Sequence, residues 1–543
     1  MKKGLAIATC LTLLFGVLAG CSNSSTPAEP TGSTTPAEAT KTEPMVLNWS
    51  INNEPPSMDP GIAVDADSFD MIYAAFEGLT SYDLNGQLVN ATAESFTNSP
   101  DYMNYTFKIR KDAKWSNGDP VTAHDFVYAI KRNLDPKTAS EYAYQLYYIK
   151  GGEEYNTGKG KAEDVGVKAV DDYTVEFNLK SPTPFFRELT FFPTLFPLHQ
   201  KTLEGNPKWA NEAKTIVGNG PFIMDKWEHK SRIVFTKNPN YWDKNNVKLD
   251  RIEIAMIEDN NTAFSMFENG DIDWGGYPAS TLPTDAIPTL KDAGKLMVAD
   301  NPGTQSVVFN TNKPPFNNKK IRQAFAYAIN RQEIIDNILQ TGVPAAYGWV
   351  PTSMGLKPDG YFKEDQAKAK ALLEEGMKEL GLSTFPTVTY TFDTNDTNKK
   401  LAEALQDQWK KALGVNVKLY TAELKVYRDM RSQANFDMIR FQWGADFNDP
   451  INFLEMFRDK TGGNNHPDWE NAKFKELIDK SYNEPDLGAR KKILLEAETI
   501  LMEEMPLAPI NFRGSPYVKN DKVKDFIIFP LGGAYFKYTS VNP

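Results

Sequence analysis

The sequence predicts an α/β protein with two or three domains, and three observations support this fold class. The chain has 543 residues, which is more than a single hydrophobic core ordinarily holds. Hydrophobic residues make up 41% and charged residues 24%, as in water-soluble globular proteins. In the C-terminal half, strand-like and helix-like segments alternate, which is typical of parallel strands joined by crossover helices.

The alternating segments begin at Val388. Strands are predicted at Val388–Thr394, at Val415–Ala422 and in FDMIRFQWG, which starts at Phe436. Helices are predicted at Asn398–Leu413, which is followed by a glycine, and in KVYRDMRSQA between the second and third strands. The order is therefore β-α-β-α-β, and we expect neighbouring parallel strands.

Earlier segments predict further strands and helices. VLNWSIN, from Val46, reads as a strand, and the apolar spacing of Phe69–Thr80 predicts a helix that stops at Gly78. Thr122 is a predicted helix N-cap. Residues 319–339, KKIRQAFAYAINRQEIIDNIL, predict one long amphipathic helix.

The N-terminal segment predicts an exported lipoprotein. Lysines, a short apolar run and small residues precede Cys21, and Leu18–Cys21 reads LAGC, which resembles the bacterial lipobox. The resemblance implies a signal peptide at residues 1–20, cleavage before Cys21, and attachment of diacylglycerol to the Cys21 sulfur, with palmitate among the expected acyl chains. Residues 21–44 lack a core-forming pattern, so we expect a flexible tether. The expected location is the outer face of the bacterial cell membrane.

Composition and motifs argue against several function classes. The formal net charge of −11 disfavours nucleic-acid binding, because nothing would neutralise the phosphates. The four histidines are scattered without metal-ligand spacing, and the sequence contains neither GxSxG nor a Walker A motif. We therefore expect no catalytic activity, no metal and no cofactor.

The predicted strand ends suggest a binding site. In an open α/β sheet, ligands bind beyond the carboxyl ends of the strands. The residues that follow the three C-terminal strands are Asp396–Asn398, Glu423–Leu424 and Gly444–Asp446. Trp443 would provide an apolar wall there, and Gly444 would allow close approach of a ligand.

Two charges in the third strand raise a specific question. Arg440 lies in an apolar strand, and Asp446 leaves its end, although buried charges are costly without partners. One hypothesis is that the two residues satisfy each other or their neighbours. The other is that they bind a ligand. The residues alone favour neither.

A family resemblance bears on this choice. Its main carriers, in chain order and behind the lipobox, are AKWSNGDPVTAHDF (Ala113–Phe126), GNGPF with NPNYWD, NTNKPPFNNKKIRQAFAYAI (Asn310–Ile329) and RFQWGADFNDPINF (Arg440–Phe453). From about Val46 to its end, the chain resembles the oligopeptide- and dipeptide-binding lipoproteins of peptide ABC importers, the extracytoplasmic solute-binding proteins of family 5.

The resemblance implies a periplasmic-binding-protein-like fold of type II, with two α/β lobes that close on a ligand and a third, extra lobe. Lobe I would comprise 45–76, 200–305 and 516–543, lobe II 77–199, and lobe III 306–515. The implied function is a membrane-anchored receptor that binds short peptides between lobes I and III and delivers them to the membrane-embedded permease. A monomer is expected. One alternative is a non-peptide ligand on the same fold, such as a metal chelate, a sugar or an antibiotic. Another, from a different class, is a cell-wall-associated hydrolase, against which the missing catalytic motif argues.

The resemblance also implies roles for individual residues. Asp446 matches the aspartate that pairs with a peptide α-ammonium, and Arg440 matches an arginine that meets the peptide carboxylate directly or through water. Trp443, Gly444 and Ala445 match residues that line the cleft.

Other positions match the family less closely. Asn398 stands where some relatives have a histidine that helps to hold the carboxylate, and Leu424 stands where some have an aromatic residue. Val64, Asp65 and Tyr148 match pocket-forming positions loosely.

Overall fold

The computed structural model describes residues 43–460, 464–529 and 532–542. The predicted lipid-bearing Cys21 and nearly all of the tether lie outside these ranges. None of the helices within them is long and apolar enough to cross a membrane.

The strands of the described residues vary widely in length, from two residues to thirteen. In chain order they are β1 Val46–Ile51, β2 Thr80–Tyr82, β3 Leu88–Asn90, β4 Ala93–Asn98, β5 Asn104–Ile109, β6 Val167–Asp171, β7 Thr174–Asn178, β8 Phe222–Glu228, β9 Arg232–Lys237, β10 Arg251–Met256, β11 Trp274–Gly276, β12 Met297–Phe309, β13 Val388–Asp393, β14 Val417–Ala422, β15 Met438–Gly444, β16 Leu507–Lys519, β17 Val523–Lys524, β18 Ile527–Ile528, β19 Ala534–Tyr535 and β20 Ser540–Val541.

The α-helices are concentrated in the second half of the chain. In order they are α1 Ala66–Ala75, α2 Ala123–Leu134, α3 Gly152–Asn156, α4 Phe186–Leu189, α5 Gln200–Glu204, α6 Asn260–Asn269, α7 Ala286–Asp292, α8 Lys319–Tyr327, α9 Arg331–Ile334, α10 Gln366–Glu379, α11 Asp396–Leu413, α12 Leu424–Ser432, α13 Ile451–Leu454, α14 Ala472–Tyr482 and α15 Leu487–Glu504.

Three larger sheets organise the strands. One has the order β1-β10-β9-β8, and a second, fully antiparallel sheet has the order β4-β5-β7-β6. The third has six strands in the order β11-β16-β12-β15-β13-β14. Strands β12 and β16 are both thirteen residues long and pair along most of their length.

The predicted crossover arrangement is confirmed. Strand β13 pairs in parallel with both β14 and β15, and helices α11 and α12 connect them. Asn395 is the N-cap of helix α11, and its side chain accepts hydrogen bonds from two backbone N–H groups. Gly414, with φ of 70°, is the C-cap. The sheet as a whole is mixed, because β12 pairs with β15 in the antiparallel direction.

The predicted long helix over 319–339 is interrupted. Helix α8 ends at Tyr327, and α9 begins at Arg331 and runs into one π-helical turn, Ile335–Leu339. Asn330 caps α9 through its side chain, and the buried guanidinium of Arg331 donates to carbonyls at the end of α8. Local capping therefore outweighs the continuous apolar pattern.

The predicted helix over Phe69–Thr80 is shifted. Helix α1 begins at Ala66 and ends at Ala75, and Thr80 begins strand β2. Gly78 does not end the helix. A Cβ atom there would lie 2.4 Å from the carbonyl oxygen of Thr190, so this glycine permits close packing of two segments. Thr122 is the N-cap of α2, as predicted.

A buried ion pair fixes the turn after β15 to helix α15. The carboxylate of Asp449 accepts from both terminal nitrogens of Arg490 at 2.7 and 2.9 Å, and both residues are buried. The pair therefore ties the segment that follows Asp446 to the helical layer.

We expect Arg490→Met to destabilise the protein by about 3–5 kcal/mol, because the buried Asp449 carboxylate would lose its counter-charge. The measurement is the urea midpoint of the unfolding transition followed by circular dichroism. Arg232→Met is the matched control, because Arg232 forms an exposed pair with Glu228. Equal midpoints for the two variants would contradict the structural role of the buried pair.

Candidate functional site

The three parallel strands end at one edge of the six-stranded sheet. Helix α11 follows β13, helix α12 follows β14, and the turn beginning at Ala445 follows β15. The backbone N–H of Ala445 donates to the Pro302 carbonyl at 2.8 Å and so extends the contact between β15 and β12. This edge gathers the residues that the sequence places after each strand.

Asp446 lies in a cavity of about 350 Å³ at this edge. Trp443 lines the cavity, and its indole N–H donates to Asn452 at 3.1 Å. The same amide oxygen of Asn452 accepts from the backbone N–H of Asp446, also at 3.1 Å. Asn452 is buried and thereby fixes both the aromatic wall and the position of the carboxylate.

Two carboxylates of this cavity are uncompensated. Burial raises the pKa of Asp446 to about 6, and burial raises the pKa of Glu455 to about 7 although Tyr482 donates to Glu455 at 2.5 Å. Within the described ranges neither carboxylate forms a salt bridge. Their acidic neighbours differ in this respect, because Asp449 pairs with Arg490, Asp479 with Arg458, and Asp459 with Arg458 and Lys475.

A second cavity of about 710 Å³ adjoins the first, and the two share Tyr144, Glu455 and Tyr482. Tyr148 also lines it and packs edge-on against Phe185 with ring centroids 5.3 Å apart. Together the cavities offer aromatic surface around negative charge, which is an environment suited to a cation with an apolar body.

Arg440 has a partner other than Asp446. Its Nη1 donates to Asp393 at 3.1 Å and its Nη2 to Gln442 at 3.0 Å. The side-chain amide of Asn398 donates to both carboxylate oxygens of Asp393, each at 3.1 Å. Mutual pairing of Arg440 and Asp446 is therefore not found, and Asn398 acts on Arg440 by orienting its counter-ion.

Gly444 lies against a second arginine, Arg513 of β16. A Cβ atom at Gly444 would lie 2.4 Å from Nη1 of Arg513, and one at Gly303 would lie 2.4 Å from its Cδ. Gly303 and Gly444 are directly paired across β12 and β15. The two glycines thus form a shelf on which the Arg513 side chain rests.

The loosely matched residues lie elsewhere or have structural contacts. Asp65 is the N-cap of α1 and accepts from the backbone N–H and the hydroxyl of Ser68, both at 2.8 Å. Val64 and Leu424 are exposed by 42% and 48%. None of these three residues lines the cavity of Asp446.

Sequence reasoning missed Glu455 and Arg513. A usable signal was present in both cases, because each is a lone charge in an apolar segment, INFLEMF and APINFRG respectively. Arg440 was singled out for the same reason.

The chain matches known proteins over nearly its whole length. Residues 87–465 match the model of the bacterial extracellular solute-binding proteins, family 5. The chain belongs to this family. A similar family member is the oligopeptide-binding protein OppA of Bacillus subtilis, which is 44% identical over 545 residues, or 99% of each chain.

Solved structures of family 5 proteins confirm the type II periplasmic-binding fold. The unliganded open form of the periplasmic murein tripeptide binding protein MppA matches with a TM-score of 0.83 and 30% identity, over 92% of this chain and 98% of that one. Listeria monocytogenes OppA bound to peptide matches with a TM-score of 0.70 and 32% identity, over 92% and 100%. The present structure is thus more similar to the open family member than to the peptide-bound one.

We expect Gly303→Ala to be more destabilising than Gly444→Ala. The added methyl group at residue 303 would also lie 2.6 Å from the backbone carbonyl of Trp443, which cannot move without breaking the strand pairing. At residue 444 its close contact is the end of the flexible Arg513 side chain. Thermal melting of the two variants checks this expectation, and a lower melting temperature for Gly444→Ala would contradict it.

Proposed function

We propose that this chain is the extracytoplasmic receptor of a peptide ABC importer and that it binds short peptides between lobes I and III. The observation that carries the proposal is the partly buried, uncompensated carboxylate of Asp446 in an aromatic cavity of the proposed lobe III, to which Tyr144 of the proposed lobe II also contributes. Membership of family 5 and the peptide-bound relative of similar fold support it. The receptor has no catalytic role in this proposal and requires neither metal nor cofactor.

The α-ammonium of the peptide pairs with Asp446 in this mechanism. Every unmodified peptide carries that charge, so the pairing gives affinity without selecting a sequence. A hydrogen bond between charged groups contributes on the order of 1.5–3 kcal/mol. Trp443 and Tyr144 surround the first residue, and Tyr148 and Glu455 line the adjoining space for its side chain.

The carboxyl end of the peptide lies towards Arg440. Two of its five N–H donors are engaged by Asp393 and Gln442, so further donors remain for a carboxylate or for an intervening water. Asn398 keeps Asp393 in place, and Gly444 and Ala445 form the path between the two ends.

Lobe closure is part of the proposal. The proposed boundaries at 305/306 and 515/516 fall inside the long paired strands β12 and β16. Such strands can bend while keeping their ladder, and a ligand between the lobes would then be enclosed. The similarity to an open family member supports an unliganded, open form for the present structure.

The anchor and the partners complete the proposal. A lipid on Cys21 would hold the receptor, as a monomer, at the outer face of the cell membrane, within reach of the permease. The LAGC segment supports the lipid attachment at Cys21. The two acyl chains of one diacylglycerol group are sufficient for stable anchoring.

We expect Asp446→Asn to weaken binding of free-amine peptides by about 10- to 100-fold, because one charge-assisted hydrogen bond is lost. Isothermal titration calorimetry with short alanine peptides and their N-acetylated forms measures this loss. Asp459→Asn is the matched control, since Asp459 lines the same cavity but is compensated by Arg458 and Lys475. Equal binding of free and acetylated peptides by the wild type would refute the ammonium pairing.

We expect peptide affinity to fall below pH 6. The pKa of Asp446 is about 6 without ligand, and only its ionised form attracts an ammonium. Each pH unit below that value lowers the ionised fraction, and with it the affinity, by up to about tenfold. Above about pH 8 the peptide amine loses its proton and affinity falls again. Titrations from pH 4.5 to 9 test this profile, and a flat response between pH 4.5 and 7 would contradict it.

Unfolding gives an independent check of the same shift. The folded, unliganded protein holds the Asp446 and Glu455 protons more tightly than the unfolded chain does. These two groups therefore favour the folded state at pH 5 relative to pH 7, and removing them removes that contribution. We expect the double variant Asp446→Asn, Glu455→Gln to gain more stability at pH 7 than at pH 5.

A further inference from the structure

Arg513 occupies an irregular point of the six-stranded sheet. Asp300 pairs with Gly514 and Thr304 with Phe512, so the intervening residues of β12, Asn301–Gly303, stand opposite Arg513 alone. Such bulges redirect a side chain and interrupt the regular pairing. The redirected side chain crosses the shelf of Gly303 and Gly444 and brings its guanidinium to the end of β15.

This guanidinium has no partner in the part of the chain that the structure describes. It forms no salt bridge there and donates no side-chain hydrogen bond, although an arginine carries five donors. Burial lowers its pKa, the nearby Tyr277 raises it in part, and the positive charge of Arg440 lowers it again. An arginine that is partly shielded from water and left without an acceptor is costly to the free protein.

The carboxylate that pairs with the neighbouring Arg440 does not compensate Arg513. Asp393 accepts from Arg440 and from Asn398, and no salt bridge joins it to Arg513. Arg440 and Arg513 lie near enough to repel each other, and only Arg440 has a carboxylate partner among the described residues, so the positive charge of Arg513 stays uncompensated. That charge is located at Gly444, two residues before the uncompensated negative charge of Asp446, and the two charges do not pair with each other.

We propose that Arg513 binds a carboxylate of the bound peptide directly and that it is the main anion-binding residue of the cleft. This inference rests on the proposed peptide-binding function. The planar guanidinium can hold both oxygens of a carboxylate at once. The carboxylate comes either from the C-terminus of the peptide or from an acidic side chain. Arg440, which is paired with Asp393, keeps the secondary, direct or water-mediated contact proposed above and does not provide the main contact.

The glycine shelf is the structural condition for this role. Any larger residue at 303 or 444 would place a methyl group where the Arg513 side chain lies. The two glycines therefore let the backbone bring the guanidinium close to the end of β15.

The test is calorimetric titration of wild type, Arg513→Gln and Arg513→Lys with matched ligands. The ligands are di- to penta-alanine, their C-terminal amides, and Ala-Glu-Ala-amide with Ala-Gln-Ala-amide. For a C-terminal contact, Arg513→Gln weakens binding of the free acids about 10- to 100-fold and leaves the amides within about twofold. For a side-chain contact, the loss occurs only with the glutamate peptide.

Arg513→Lys keeps the positive charge but not the planar guanidinium, so we expect a smaller loss of affinity than for Arg513→Gln. This loss is expected only for the ligands whose binding Arg513→Gln also weakens. This variant also serves if Arg513→Gln does not fold. Gly444→Ala gives a second route, because it moves the guanidinium without removing it. Because Gly444 also lies on the proposed peptide path, we expect this variant to weaken binding of carboxylate ligands more than binding of the amides. Arg232→Gln, at an exposed ion pair, is the control and changes no affinity.

The outcomes separate this inference from the proposed function. If Asp446→Asn weakens binding but Arg513→Gln affects acids and amides equally, or neither, the carboxylate role of Arg513 is wrong and peptide binding stands. If the wild type binds none of the peptides, both are wrong. If Arg440→Gln, and not Arg513→Gln, removes the preference for acids over amides, the anion contact belongs to Arg440.

Discussion

Partly buried charge without a salt-bridge partner is the constraint on which the candidate site depends. Asp446 is largely shielded from water, and its pKa of about 6 reflects the cost of ionising it there. The protein can hold such a group only where the backbone is firmly placed. Strand β15 is an inner strand of the six-stranded sheet, Asn452 bonds the backbone N–H of Asp446, and the Asp449–Arg490 pair secures the turn that follows. Fold stability thus offsets the local cost.

The surrounding charges show how selective this arrangement is. Asp393 is matched by Arg440 and steadied by Asn398, while Asp459 and Asp479 are matched by Arg458 and Lys475. Compensated groups shape the walls but attract little, because their fields largely cancel. The groups that form no salt bridge within the described residues, Asp446, Glu455 and Arg513, retain their attraction for an external partner. A ligand that carries both an ammonium and a carboxylate would compensate a negative and a positive group of the site at once.

The local sequence was sufficient for the crossover unit and for the position of Asp446. Apolar alternation defines strands β13 and β15. The caps at Asn395 and Gly414 define helix α11, and none of these signals involves distant residues. Long-range choices were not accessible in this way. Pairing of β15 with β12 depends on residues more than a hundred positions apart, and the Arg440–Asp393 contact depends on the register between strands. Glu455 and Arg513 carried the same lone-charge signal as Arg440, but which of the three would meet a partner is decided by packing.

The site and the proposed lobe boundary meet at Arg513. Strand β12 crosses the proposed boundary at 305/306, and strand β16 crosses the one at 515/516. The pairing of the two strands is irregular where Asn301–Gly303 oppose Arg513. A ligand shifts a conformational equilibrium only through contacts that differ between the two states. Arg513 makes no side-chain hydrogen bond or salt bridge within the described residues, so nearly all of its polar contacts remain to be formed when a ligand arrives. Because Arg513 lies on β16, which crosses a proposed lobe boundary, its interaction energy would act on the segment that bends in the proposed closure.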